Sequence, residues 1–256
     1  MRVVTVPILE DNYAYLVIDE ATKKAACIDP AEPKVVLEAA KKENVELTHI
    51  LTTHAHWDHA GGNEEMKRLV PNLEVVGGKG DRAQAVMREV GDGDTVLVGS
   101  LEVKVLYTPC HTAGHVCYYL EPKDGPRCVF TGDTMFVAGC GNFNAGTPQQ
   151  MFHALVEKIG SLPPDTLVYC GHEYTEKNLM YAQTAEPNNQ AIKDKLAWVR
   201  QQRAQGNPTV PSTVSTEWQI NPFLRCREQT LLEYTGKSDP VECLAVIRAR
   251  KSAWRP

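Results

Sequence analysis

Along the first two-thirds of the chain, short apolar runs alternate with polar breaks. Runs at "VVTVPI" (3–8), "YAYLVI" (13–18), "AACI" (25–28), "HILTT" (49–53), "LEVVG" (73–77), "DTVLVG" (94–99), "LEVKVLYT" (101–108), "VCYYLE" (116–121), "RCVFTG" (127–132) and "TLVYC" (166–170) predict strands. "LEVKVLY" alternates cleanly and fits a half-buried sheet, and "VLVGSLEVKV" reads as a hairpin about Gly99-Ser100. Between the runs, "EPKVVLEAAKKEN" (32–44) and "TPQQMFHALVEKIGSL" (147–162) predict helices. In the second, Thr147 offers an N-cap and Pro148 occupies the first helical position. Strands interleaved with helices predict a layered α/β domain.

After about residue 174 the strand signal stops. "TEKNLMYAQTA", "NQAIKDKLAWVRQQRAQ" and "DPVECLAVIRARKSAW" carry helical periodicity, with connectors "GNPTVPST" and "INPF" between them. The expected organisation is an α/β domain over 1–173 and a helical domain over 174–256.

Composition narrows the function classes. A net charge of −5 argues against nucleic acid as a partner, since such proteins carry a basic face. No apolar stretch reaches the roughly 20 residues of a membrane span, and "MRVVTVPI" lacks the pattern of a secretory signal. The eight cysteines are scattered, none in a C-x-x-C, and read as reduced thiols. The expectation is a soluble cytoplasmic monomer, with room for a mitochondrial form as well.

One loop concentrates chemistry. "THAHWDHAGGN" places His54, His56, Asp58 and His59 directly after an apolar strand, and Gly61-Gly62 allow close backbone approach beside them. Imidazole with carboxylate suits zinc, iron or manganese. Three further strands end in metal-competent residues: His111 in "TPCHTAGH", Asp133 in "FTGDT" and His172 in "YCGHEY". Taken singly these read as turn or cap residues; four strand ends of this kind together point to one metal site.

The set T-H-x-H-x-D-H, a later strand-end His, G-D and G-H resembles the metallo-β-lactamase superfamily. "DNYAYLV", "TPCHTAGHVCY", "FTGDTMFVAGCG", "YCGHEYT", "PTVPST" and "NPFLR" extend that likeness to the glyoxalase II (hydroxyacylglutathione hydrolase) family over nearly the whole chain. The resemblance implies a four-layer αβ/βα sandwich with a C-terminal helical domain and a site for two divalent metal ions, zinc first and iron or manganese as well. By matching positions, His54, His56 and His111 would hold one ion, Asp58, His59 and His172 the other, and Asp133 would bridge them. The implied reaction is hydrolysis of S-D-lactoylglutathione to glutathione and D-lactate by a metal-bridging hydroxide, the second step of methylglyoxal detoxification, with Asp58 able to orient the water.

Substrate recognition follows from the same likeness. Arg248 and Lys251, i,i+3 in "IRARKSAW", match positions that hold the glycine carboxylate of glutathione, and Tyr174 matches a tyrosine contacting the tripeptide. One departure stands out. Where the family carries a basic residue and two aromatics after "GCG", this chain has Asn142, Phe143 and Asn144. Weaker glutathione-thioester binding or a shifted thiol preference is the expected consequence. His49, His115, His153 and Cys110 are assigned packing or supporting roles, and "GGKG" (77–80) a turn.

The alternatives are a related hydrolase with shifted thioester preference and an iron persulfide dioxygenase using a single metal. A nuclease-branch phosphodiesterase sits badly with the acidic charge, and a non-catalytic relative with the seven retained donors.

Overall fold

The computed structural model describes residues 1–255; Pro256, the last residue of the expected helical domain, lies outside the described residues. One six-stranded sheet runs in the order β1 (Arg2–Ile8), β2 (Asn12–Ile18), β3 (Lys24–Ile28), β4 (Glu46–Leu51), β5 (Glu74–Gly78), β6 (Arg88–Val90). Its first three strands pair antiparallel and β3 to β6 pair parallel. The parallel connection from β3 to β4 is made by α1 (Pro33–Lys42), and that from β4 to β5 by α2 (Trp57–Ala60) and α3 (Asn63–Leu69), because parallel strands need a crossover.

The second sheet contains β7 (Thr95–Val98), β8 (Leu101–Tyr107), β9 (Val116–Leu120) and β10 (Cys128–Gly132). A two-stranded ribbon follows, β11 (Met135–Phe136) with β12 (Gly139–Cys140), and then α4 (Pro148–Phe152), whose last turn runs on as a π-helical segment over His153–Lys158. β13 (Leu167–Cys170) and the two-residue β14 (Ser212–Thr213) complete the sheet in the order β14-β13-β10-β9-β8-β7. The remaining chain is helical: α5 (Thr175–Ala185), α6 (Gln190–Ala204), α7 (Val214–Ile220), α8 (Gln229–Thr235) and α9 (Pro240–Ala253).

Alternation along the strands decides the layers. Tyr13, Tyr15, Val17, Leu51 and Val76 of the first sheet pack against Val103, Val105, Tyr118 and Phe130 of the second, forming the central core. The opposite face of the first sheet, with Leu16, Ile18, Cys27 and Ile50, is covered by Val36 and Ala40 of α1 and Met66 of α3. The opposite face of the second, with Cys117, Tyr119, Val129 and Val168, is covered by Met151, Leu155, Leu231, Leu244 and Ile247. This is the four-layer αβ/βα arrangement. The C-terminal helices therefore share a core with the second sheet.

Two differences from the sequence reading have plain causes. β14 lies in "GNPTVPST", read as a connector; two residues cannot display an alternation, and only pairing with β13 makes them a strand. β4 stops at Leu51, two residues before the apolar run ends. Thr52 N still donates to Val76 O of β5 at 2.8 Å, but Thr53 turns to the other sheet, its O accepting from Val116 N at 2.9 Å. The Tyr118 hydroxyl also donates to Thr52 O at 2.8 Å. The loop that starts at His54 is thus strapped to both sheets. Thr147 does cap α4, in a capping box with Gln150, and the Gly99 hairpin has φ +61 at that glycine.

Candidate metal centre

The ends of β4, β10 and β13 and the loop after β8 meet at one edge of the sandwich. There Asn12 of β2 forms an isolated bridge with His172, and Tyr13 N donates to Gly171 O at 2.9 Å, so the two sheets close on each other. All seven strand-end side chains singled out by their spacing converge at this edge. His54 Nε2 lies 3.0 Å from His56 Nδ1, which lies 3.1 Å from His111 Nε2. On the other side His59 Nε2 lies 3.2 Å from His172 Nε2, with Asp58 Oδ2 at 3.7 and 3.4 Å from these two nitrogens. Asp133 faces both groups: its Oδ2 is 3.4 Å from His111 Nε2, and its Oδ1 is 3.3 Å from His59 Nε2 and 3.5 Å from His172 Nε2.

Several observations fit a cation between these donors. Nitrogen atoms of three imidazoles lie close enough together to serve one divalent ion. Asp133 Oδ1 is buried without a hydrogen-bond partner, a costly state unless a cation or its water satisfies it. Burial by itself lowers the His59 pKa, yet Asp133 and Asp29 outweigh it and hold the ring well above its ordinary value. For Asp133, burial opposes ionisation, but His59 and His172 keep its carboxyl well below the usual range. His54, fully buried and surrounded by other rings, is held neutral, the form in which imidazole binds a metal. The space is kept open by Gly171, where a Cβ would stand 2.7 Å from both Asp133 Oδ1 and His59 Cε1.

A second set of residues orients the first, and this set escaped sequence reasoning. Asp29, buried at the end of β3, accepts from Thr53 N (2.8 Å), Thr53 Oγ1 (2.6 Å) and His59 Nδ1 (2.9 Å). Asp11 binds His172 Nδ1 at 2.9 Å, and Asn142 O binds His111 Nδ1 at 3.0 Å. Asn12 Nδ2 donates to Asp58 Oδ2 at 3.1 Å. The bonds at Nδ1 of His59, His172 and His111 fix which ring nitrogen faces the centre. Asp81 ties the loop further by accepting from Ala55 N and Gly114 N. The one available sequence signal was position, since Asp11, Asp29 and Asp81 each stand just past a strand; with no partner in sequence, that signal is indistinguishable from a turn aspartate.

His115 takes no place among the donors. Its ring stacks on His54 at 4.9 Å, its Nε2 accepts from Asp133 N at 3.2 Å, and its Nδ1 lies 3.1 Å from the Thr108 and Thr134 hydroxyls. His49 pairs with Glu74 and His153 with Glu157, both away from the site. Cys110 is buried, its thiol pushed up to about 11 by burial, so it offers no thiolate.

Beside the centre opens a cleft of about 570 Å³, lined by His111, Asp133, Phe136, Asn142, Tyr174 and the α9 residues Arg248 and Lys251. The Tyr174 ring stacks on His172 with centroids 4.5 Å apart and meets Phe136 edge-on at 5.2 Å. Arg248 Nη1 donates to Cys140 O at 2.6 Å, and the Lys251 ammonium stands 5.0 Å over the Trp254 ring. Burial, with Arg248 and Lys177 nearby, pushes the Lys251 ammonium down to about 8. Phe143 and Asn144 do not line this cleft: Phe143 packs against the apolar cluster of the second sheet and Asn144 is exposed.

Comparison with known proteins resolves the family. The model described as "Metallo-beta-lactamase superfamily" matches residues 11–172, and that described as "Hydroxyacylglutathione hydrolase C-terminus" matches residues 173–254. The chain is 48% identical to a cytoplasmic hydroxyacylglutathione hydrolase of Arabidopsis thaliana over 257 residues, covering 100% of both chains. This chain belongs to the hydroxyacylglutathione hydrolase family of the metallo-beta-lactamase superfamily. A hydroxyacylglutathione hydrolase-like protein of Gallus gallus is 46% identical, covering 100% of this chain and 91% of that one. Among solved structures, ETHE1 from Myxococcus xanthus superposes with a TM-score of 0.72 at 28% identity, over 100% of this chain and 93% of that one. Another, solved in a di-iron-bound form, gives 0.61 at 25% identity, over 88% of this chain and 100% of that one. Among the described residues no helix is long and apolar enough to cross a membrane.

Proposed function

We propose that this family member hydrolyses S-D-lactoylglutathione to glutathione and D-lactate at a two-metal site, acting in the cytoplasm as a monomer. The observation that carries the reading is the pair of facing donor groups that share Asp133 at the mouth of a cation-bearing cleft. His54, His56 and His111 would hold one divalent ion and Asp58, His59 and His172 the second, with a carboxylate oxygen of Asp133 to each. Nitrogen and oxygen donors of this kind take zinc, and iron or manganese as well. When bound, such ions lower the pKa of a water toward neutrality and stabilise developing negative charge on a carbonyl oxygen.

The chain's own residues do the rest. Asp58, kept in place by Asn12, presents the carboxylate oxygen Oδ2 that can hold a proton next to the centre. Tyr174 and Phe136 form the apolar wall against which the thioester lies, while Arg248 and Lys251 bind carboxylate. The leaving thiol has an ordinary pKa of about 8.5, so its thiolate departs without a strong general acid; the cleft accordingly needs none. The cytoplasmic assignment is supported by eight free, buried thiols and by the name of the Arabidopsis relative.

Metal-loaded protein is expected to turn over S-D-lactoylglutathione with two ions bound per chain, both counted on one sample. A single ion per chain, or two ions without thioesterase activity, refutes the reading; the first outcome favours dioxygenase chemistry. The asparagine at 142 removes a cation from the rim of the cleft. Asn142→Lys is expected to lower KM for this substrate about threefold, the worth of one exposed charge pair. Steady-state kinetics that give an equal or higher KM count against that role.

A further inference from the structure

Glutathione carries carboxylates at its two ends, on glycine and on the γ-glutamyl group, so a receptor needs cations on two walls. Arg248 and Lys251 both rise from α9. Position 142 offers no charge, and Asn142 Oδ1 is instead 3.4 Å from Ser252 Oγ, which accepts from Arg248 Nη2 at 3.3 Å. Asparagine here is tied to the α9 wall and steadies Arg248. A different cation stands on the α5 wall. Lys177 is exposed, lies one turn beyond Tyr174 on the same helix face, and lines both the main cleft and an adjoining one of about 360 Å³.

Lys177 has no carboxylate of the described residues within ion-pair distance, whereas the acids around it are committed. Glu176 pairs with Arg200 at 2.8 Å, Glu173 accepts from Thr209 N and Oγ1, and Asp11 Oδ1 is bonded to His172. Lys177 also lies close enough to Lys251 to depress its pKa, which places both in one electrostatic space. An exposed lysine is usually just solvated. One facing a shared cleft with two further unpaired cations, next to the candidate centre, is different.

We propose that Lys177 receives the γ-glutamyl carboxylate of the substrate, supplying from α5 the charge that position 142 lacks. The assignment rests on the thioesterase reading above and makes Lys177 a determinant of preference for thiols that carry this second carboxylate. It is tested by calorimetry on metal-loaded protein with two non-hydrolysable ligands. S-methylglutathione bears both carboxylates; N-acetyl-S-methylcysteinylglycine keeps the glycine carboxylate and lacks the γ-glutamyl group. Lys177→Ala is expected to raise Kd for S-methylglutathione about fivefold and for the truncated ligand less than about twofold, with Lys177→Arg restoring most of the loss. Lys123→Ala, on a distant exposed loop, serves as the control and changes neither value. Equal weakening of both ligands, no weakening of either, or no binding of S-methylglutathione by the unaltered protein overturns the assignment. Turnover of S-D-lactoylglutathione, measured alongside, tests the parent reading separately: its absence sinks thioesterase function, while turnover with an unselective Lys177→Ala sinks only the role of Lys177.

Discussion

Asp133→Asn is expected to lower kcat for S-D-lactoylglutathione by about three orders of magnitude and to cut bound metal from two ions per chain to about one. The side chain keeps its shape, so the loss is one of charge and donor type. Asp133 Oδ2 addresses His111, and Oδ1 addresses His59 and His172; an amide can place an oxygen toward only one of these groups. Its NH2 would point at the nitrogens of the other, where a cation is wanted. Because asparagine is isosteric and the site lies at the edge of the sandwich, the melting temperature of the metal-free protein should move little. Metal analysis and kinetics on the same preparation decide the matter: two ions retained with kcat within about tenfold of the unaltered enzyme would rule out the bridging role proposed for Asp133.

The largest stability effect is expected outside the set of metal donors, at Glu217→Ala. Glu217 is fully buried in α7, and its carboxylate accepts from Ala138 N at 2.8 Å, Asn221 Nδ2 at 3.0 Å and the Ser212 hydroxyl. Asn221 in turn donates to Phe136 O and Gly139 O, and Asn178 to Val137 O. The β11–β12 ribbon, with Ala138 at φ +53, is thereby latched to the C-terminal helices. Alanine would strand the Ala138 N–H and the Ser212 hydroxyl without their acceptor in a dry interior, at a cost of about 3–5 kcal/mol. For a chain of this size that lowers the melting temperature by about 10 °C. Glu217→Gln, which keeps an acceptor for one donor, should lose less than half as much. The ribbon carries Phe136 and leads into Asn142, whose carbonyl holds His111, so activity should fall before global unfolding as temperature rises. Thermal denaturation that leaves Glu217→Ala within about 2 °C of the unaltered protein would show that the latch carries no such energy.

Both sites were legible in the sequence to very different degrees. The strand-end grammar that picked out His54, His56, Asp58, His59, His111, Asp133 and His172 is local: an apolar run followed by a metal-competent loop is visible in a ten-residue window. A layered α/β domain was also within reach, because strand runs alternate with helical stretches; the four layers came from the family resemblance. Glu217 gave no such signal. A glutamate in "VSTEWQI" reads as the polar side of an amphipathic helix, and its burial depends on Ala138 and Ser212 arriving from elsewhere in the chain. Asp29, Asp11 and Lys177 share that limitation, since each acts through a partner remote in sequence. The "GCGNFNAGT" segment shows it in another form: its three consecutive positions face differently, Asn142 into the cleft, Phe143 toward the core and Asn144 toward solvent.

Sequence by itself determined most of the long elements and the candidate donor side chains, because periodicity, caps and short motifs depend on near neighbours along the chain. Tertiary structure alone decided which donors face each other, which carboxylates orient them, and which cations share the cleft. Those relations join β2 to β13, β3 to the loop after β4, and α5 to α9, pairs that only the closing of two sheets and the docking of the helices bring within a few ångströms.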